Sequence, residues 1–183
     1  VIAGVLKGRR LVTPRGSVTR PTADQVRIAL MDTLMPWLPD AHVLDLFAGA
    51  GAVGIEGLSR GAAQATFVER DRRAATALRQ NVDALGLQDR TRVLQMDVAR
   101  ALERLAGEGS RFEIVFLDPP YDTPLGPDTL AWLGAGRLIQ TGGIVVAQHL
   151  TKRAPILGPV PALERFRARR FGETTLTFFR AGG

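Results

Sequence analysis

Cysteine is absent from the 183 residues, which excludes disulfides and thiolate metal sites. Histidine occurs only twice, at His42 and His149, too sparsely for a histidine-built metal centre, so no metal is expected. No apolar run approaches the roughly 18 residues that a membrane span needs, and the start lacks the sustained apolar core of a signal peptide. No membrane partner is therefore expected, and the cytoplasm is the expected location. Lysine is scarce too, with two against 22 arginines. What is present is ordinary for a globular chain: 45% hydrophobic and 23% charged residues suffice for one domain with a full core and a small appendage.

The net charge of +6 is unevenly spread. Residues 1–27 carry six basic groups and one acid, and residues 151–183 carry seven and two. Residues 28–150 hold eleven basic against fifteen acidic groups. A mildly acidic middle with two basic ends suggests a polyanionic partner such as nucleic acid.

The chain is organised around Val43-Leu44-Asp45-Leu46-Phe47-Ala48-Gly49-Ala50-Gly51-Ala52-Val53-Gly54. A short apolar run meets an acid, breaks into glycines and opens an apolar helix. Such a strand, turn and helix start fits a nucleotide-like cofactor, because glycines permit close approach and free helix amides favour electron-rich groups. The glycines alone also fit a dinucleotide fingerprint.

Before this stretch, Val1–Val12 has β-prone pieces around Lys7-Gly8-Arg9-Arg10 and reads as a hairpin, and Thr13–Thr19 reads as loop. Thr22 with Gln25 predicts a capping box for a helix whose stripe is Val26, Leu30 and Leu34, closed at Pro36. After it, strands are expected at His42–Phe47, Gln64–Glu69, Thr91–Met96, Phe112–Leu117 and Ile144–Gln148. Helices are expected at Gly51–Ser59, Asp71–Leu85, Val98–Ala106 and Thr129–Leu133. Thr151–Pro161 reads as proline-rich loop, and Leu163–Arg170 with Thr174–Arg180 as a closing antiparallel hairpin. The expected class is α/β: a Rossmann-like, doubly wound, mostly parallel sheet with that hairpin at its end. Residues 1–36 form a basic hairpin and helix extension to a catalytic domain over 37–183 in this reading.

In such sheets ligands sit beyond the carboxyl ends of the strands. Those ends carry Asp45, Glu69 with Asp71, Asp97, and Asp118-Pro119-Pro120-Tyr121. Glu69 lies twenty residues past Gly49, the spacing at which an acid takes ribose hydroxyls. Asp45 would repel a pyrophosphate but suits S-adenosylmethionine, which is cationic and phosphate-free. Asp97 is then placed for the adenine amine. In Asp118–Tyr121 two prolines remove backbone donors, leaving the Asp118 carboxylate and the Pro119 carbonyl to accept both hydrogens of an exocyclic amine on a base. Tyr121 can stack on that base.

Together, Val43–Gly51 and Asp118–Tyr121 resemble the class I S-adenosylmethionine-dependent amino methyltransferases. Ile2-Ala3-Gly4, Lys7-Gly8-Arg9-Arg10-Leu11, Arg20-Pro21-Thr22, Val26-Arg27, Gly57–Ala62 and Phe67-Val68-Glu69 resemble more narrowly the RsmD-type enzymes. This resemblance implies methylation of a guanine N2 in small-subunit (16S) ribosomal RNA, with the RNA or a small-subunit assembly particle as partner and a monomer as the expected state. It places Asp45, Gly49 and Gly51 at the cofactor's methionine end, Glu69 at its ribose and Asp97 at its adenine, with Phe47, Arg70 and Val98 also among the cofactor-binding residues. Arg20 and Thr22 would cover the cofactor, Asp118, Pro119, Pro120 and Tyr121 would hold the target base, and Lys7, Arg9, Arg10 and Arg27 would meet RNA. Two positions depart from the pattern: Ala23 replaces a usual second threonine, and Gln148-His149 stands where relatives usually show a glutamate. A DNA adenine-N6 methyltransferase and a non-catalytic RNA-binding assembly protein are the rival readings.

Overall fold

Short strands alternating with helices fold here into one seven-stranded sheet of order β3-β2-β1-β4-β5-β7-β6. The computed structural model describes residues 1–14, 21–136, 138–156 and 159–182. The strands are β1 (His42–Leu46), β2 (Gln64–Val68), β3 (Thr91–Leu94), β4 (Phe112–Leu117), β5 (Ile139–Leu150), β6 (Leu163–Phe171) and β7 (Thr174–Ala181). The helices are α1 (Pro21–Leu34), α2 (Ala52–Ser59), α3 (Arg72–Ala84), α4 (Val98–Gly107) and α5 (Leu125–Gly134). The first five strands run parallel, and β7 and β6 close the sheet antiparallel.

Alternation along each strand divides the core between the two faces. Val43, Phe67, Ile114, Phe116, Ile144, Val146 and Phe178 meet α1, α2 and α3 on one face. Leu44, Leu46, Val68, Val115, Leu117, Val145 and Phe179 meet α4 and α5 on the other. Phe112–Leu117 therefore reads as a nearly unbroken apolar run because both of its faces are covered. The expected stripe on α1 is also the buried one, with Val26, Leu30 and Leu34 in the first core. Burial of each such side chain contributes about 1.5–3 kcal/mol.

Four expectations need correction. Val1–Val12 contains no strand. Gly4 and Gly8 turn the chain at φ +82° and +84°, and the backbone donors go to α2 instead of a ladder. Ile2 and Ala3 N–H each donate to the Glu56 carboxylate at 2.9 Å, and Leu6 N–H donates to Ser59 Oγ at 3.0 Å. The α1 helix starts at Pro21, so Thr22 is already inside it and the capping-box reading fails; proline at a first helical position wastes no donor. The β5 strand begins at Ile139, five residues before the expected start. Gly142 at φ +77° puts an irregularity inside the strand instead of a turn before it. The α5 helix runs over Leu125–Gly134, longer than the expected turn at Thr129. In the proline-rich loop, Thr151–Ile156 forms 3-10 turns. Most of the expected loop at Thr13–Thr19 lies outside the described residues.

Candidate active site at the carboxyl ends of the strands

The chain order reverses between β1 and β4, and their carboxyl ends diverge there into a crevice. A cleft of about 760 Å³ opens at this point. It is lined by Phe47, Val68, Glu69, Arg70, Asp71, Met96, Asp97, Val98, Ala99, Arg100, Asp118, Pro119, Pro120, Tyr121 and Leu125. Its size lies in the range of small-molecule sites. Three strand ends contribute four carboxylates to it, Glu69, Asp71, Asp97 and Asp118, so a cationic ligand fits better than an anionic one.

The turn after β1 is tightly made. Phe47 sits at φ +63° and Gly51 at +87°, a left-handed cap that a side chain would strain. Ala48 N–H donates to Val68 O at 2.9 Å, and Gly51 N–H to Ala48 O at 2.9 Å. Gly49 N–H donates to Glu69 Oε2 at 2.8 Å, and Gly54 N–H to Asp45 Oδ2 at 3.0 Å. The expected free amides are thus partly taken by the protein's own acids. A phosphate would have to displace two carboxylates to use them.

Asp45 is fully buried behind the turn and does not line the cleft. Burial pushes its carboxyl up to about 7; the Gly54 N–H works against this, while Asp118 and Glu69 add to it. Burial likewise pushes Asp118 up to about 7. Glu69 also accepts from Asp71 N–H at 2.7 Å. Two backbone donors fix its carboxylate, which keeps lone pairs for further donors. Asp71 caps α3 by accepting from Ala74 N–H at 2.8 Å. Asp97 holds the cap position of α4 without a side-chain cap bond, so its largely exposed carboxylate is available in the cleft, 3.8 Å from Arg70 Nη1.

The structure therefore brings Phe47, Glu69, Arg70, Asp97, Val98, Asp118, Pro119, Pro120 and Tyr121 around one cleft. Arg20 lies outside the described residues, and of Thr22 only the helical backbone is described. Lys7, Arg9 and Arg10 are exposed on the N-terminal segment, where Arg9 Nη2 donates to Ala84 O at 2.9 Å. Arg27 turns inward instead of joining them: its Nη2 donates to Asp24 Oδ1 at 2.9 Å and its Nε lies 3.9 Å from Glu56. His149 is a structural residue, its ring nitrogens 2.7 Å from Thr177 Oγ1 and 2.9 Å from Leu150 O; burial lowers its pKa.

Two supporting residues escaped the sequence reading. Glu56 is buried in α2 and accepts from Ile2, Ala3 and Arg60. Its signal was a lone acid in the apolar helix AVGIEGLS. Asn81, buried in α3, accepts from Val12 N–H at 2.6 Å and donates to Val12 O at 2.9 Å and Ala50 O at 3.0 Å. It thus ties the N-terminal segment to the glycine turn. No local signal marks it.

A family model described as conserved hypothetical protein 95 matches residues 1–180. The Escherichia coli (strain K12) ribosomal RNA small subunit methyltransferase D is 39% identical over 145 residues, 76% of this chain and 71% of that protein. The Bacillus subtilis candidate rRNA methyltransferase YlbH is 33% identical over 183 residues, all of this chain and 99% of that one. Among solved structures, the Escherichia coli candidate methyltransferase yhhF superposes with a TM-score of 0.86 at 33% identity, covering 100% of this chain and 97% of its own.

Proposed function

The chain belongs to the conserved hypothetical protein 95 family, that of the RsmD-type rRNA methyltransferases, and on that premise we propose that it methylates the exocyclic N2 amine of a guanine in small-subunit (16S) ribosomal RNA, using S-adenosylmethionine. The observation that carries this reading is the acid-lined cleft that ends at Asp118, Pro119 and Tyr121. The cofactor supplies an electrophilic methyl on a sulfonium. The residues fit it: Glu69 for the ribose hydroxyls, Asp97 for the adenine amine, Phe47 and Val98 as apolar walls. Asp45, held by Gly54, acts from behind by fixing the turn and supplying negative charge.

Asp118 and the Pro119 carbonyl accept the two hydrogens of the guanine amine. This leaves the nitrogen lone pair out of the ring and aimed along the cleft, so that alignment does the work of a strong base. Tyr121 is exposed at the mouth, where a base can stack on it for about 1–3 kcal/mol. After transfer the amine's surplus proton leaves through Asp118 or water, and neutral N2-methylguanine remains.

The raised carboxyls give a pH dependence. Both hold a proton more tightly in the folded protein, so ionising them costs stability as pH rises from about 4 towards 7. A bound cation offsets that cost. Affinity for S-adenosylmethionine is therefore expected to rise between about pH 6 and about pH 8, and more steeply than that for S-adenosylhomocysteine, which lacks the sulfonium charge. Calorimetry with both ligands tests this; parallel or falling curves contradict it.

Arg9 and Arg10 lie exposed beside the segment that Asn81 ties to the turn, suited to RNA phosphates. Replacing both by alanine should lower the slope of log affinity against log salt by about 2. An unchanged slope removes this patch from the interface. The reaction itself is tested by mass spectrometry of small-subunit rRNA nucleosides from a strain lacking the gene. N2-methylguanine should fall by one residue per particle and return on adding the protein, and an unchanged content refutes the substrate.

A further inference from the structure

Asp118 also lines a smaller cavity, of about 140 Å³. Ala23, Val26 and Arg27 of α1, Val53 of α2, Asp118 and Gln148 line it. Strand register explains how the last two meet. Phe116 pairs with Val146 and Leu117 with Ala147. One step on, Asp118 stands beside Gln148 on the neighbouring strand, about 4.8 Å away. Phe116 and Val146 pack into the core beneath α1, and a period of two sends Asp118 and Gln148 to that same face.

Two polar groups here keep unused hydrogen-bonding capacity. The Gln148 side chain is half-buried and makes no hydrogen bond among the described residues. Arg27 Nε is buried and makes no hydrogen bond among the described residues, with the Glu56 carboxylate 3.9 Å away. A buried donor that makes no hydrogen bond is unfavourable, so a ligand atom that accepts from it is held more tightly. Apolar walls with a few convergent polar groups are the pattern of a small-molecule subsite.

We propose that this cavity receives the Watson–Crick edge of the target guanine, and that Gln148 and Arg27 read it. The inference rests on the guanine-N2 reading above. With the N2 amine at Asp118, the next groups along that edge are N1–H, a donor, and O6, an acceptor. The Gln148 amide oxygen accepts from N1–H, and Arg27 donates to O6. Adenine held by its amine presents an unprotonated N1 and no oxygen, which leaves the Arg27 donor unsatisfied. A site built to hydrogen-bond a group rejects the analogue lacking it. Gln148 is thus a specificity residue, and Arg27 acts in the base pocket instead of on the outer surface.

The test is labelled methyl transfer from S-adenosylmethionine to small ribosomal subunits from a strain lacking the gene. Gln148→Leu should lower kcat/KM by about 10- to 100-fold. Gln148→Glu should stay within about tenfold of the parent, because a carboxylate still accepts from N1–H. Ala23→Leu fills the cavity from α1 without touching the Tyr121 mouth, and should lose transfer as Gln148→Leu does. Cofactor affinity should be unchanged in all three. Either Gln148→Leu or Ala23→Leu at the parent rate overturns the subsite while the parent's product leaves the reaction standing. Cofactor affinity falling in step with transfer also overturns it. A parent protein that forms no N2-methylguanine overturns the reaction, and the subsite with it.

Discussion

Replacing Asp118 by alanine is expected to lower methyl transfer by about a thousandfold, with cofactor affinity within about tenfold of the parent. The side chain stands where β4 ends and the two cavities meet. Among the described residues it is the one carboxylate common to both, so its loss removes the acceptor that aligns the amine. The cofactor keeps Glu69 and Asp97, which explains the small effect on binding. Asp118→Asn is the sharper probe: it keeps the shape but turns an acceptor into a partial donor facing the amine's hydrogens. With the Asp118 carboxyl raised to about 7 by burial, the parent's rate should climb with pH through that value, and the asparagine variant's residual rate should lose that step. Transfer by the alanine variant at the parent rate would remove Asp118 from the chemistry.

The largest effect on stability is expected at Glu56. Its buried carboxylate accepts from Ile2 N–H, Ala3 N–H and Arg60 Nε at 2.9, 2.9 and 3.0 Å. Truncating it to alanine leaves two backbone N–H groups and the Arg60 and Arg27 guanidinium groups without their shared anion, a loss of about 3–5 kcal/mol. For a chain of this size that lowers the melting temperature by about 6–20 °C. Arg92–Glu108 is a useful contrast. Its bonds of 2.6 and 2.9 Å are just as short and the Glu108 carboxyl is held down to about 2, yet the pair is in water, where such interactions add little. Differential scanning calorimetry of Glu56→Ala and Glu108→Ala distinguishes the two cases. Equal melting temperatures would show that burial does not set the value of the Glu56 cluster. The N-terminal segment, anchored by Glu56, should also become the first site of proteolysis in Glu56→Ala.

Much of the architecture was legible because it rests on local rules. Periodicity located every strand of the sheet, and the bounds of β4 coincide with the apolar run Phe112–Leu117. Gly49 and Gly51 marked the turn, and the acids at successive strand ends marked the rim, since parallel strands deliver their carboxyl ends to one side. The N-terminal segment was misread for a physical reason. Its β-prone residues and turn glycines fit a hairpin, but its donors are satisfied by Glu56 and Ser59, more than fifty residues away.

The sequence by itself determined the α/β class, the order of its elements and the chemistry available at each strand end, because these depend on spacing within a few residues. Only the tertiary structure decided which polar groups share an environment. Asp45 faces Gly54 behind the turn, Asn81 joins Val12 to Ala50, and Arg27 turns in towards Glu56 and lines one cavity with Asp118 and Gln148. Such neighbourhoods follow from strand register and from how α1 settles on the sheet. Both are set by the packing of the whole core, since shifting a strand by one residue sends every side chain to the opposite face.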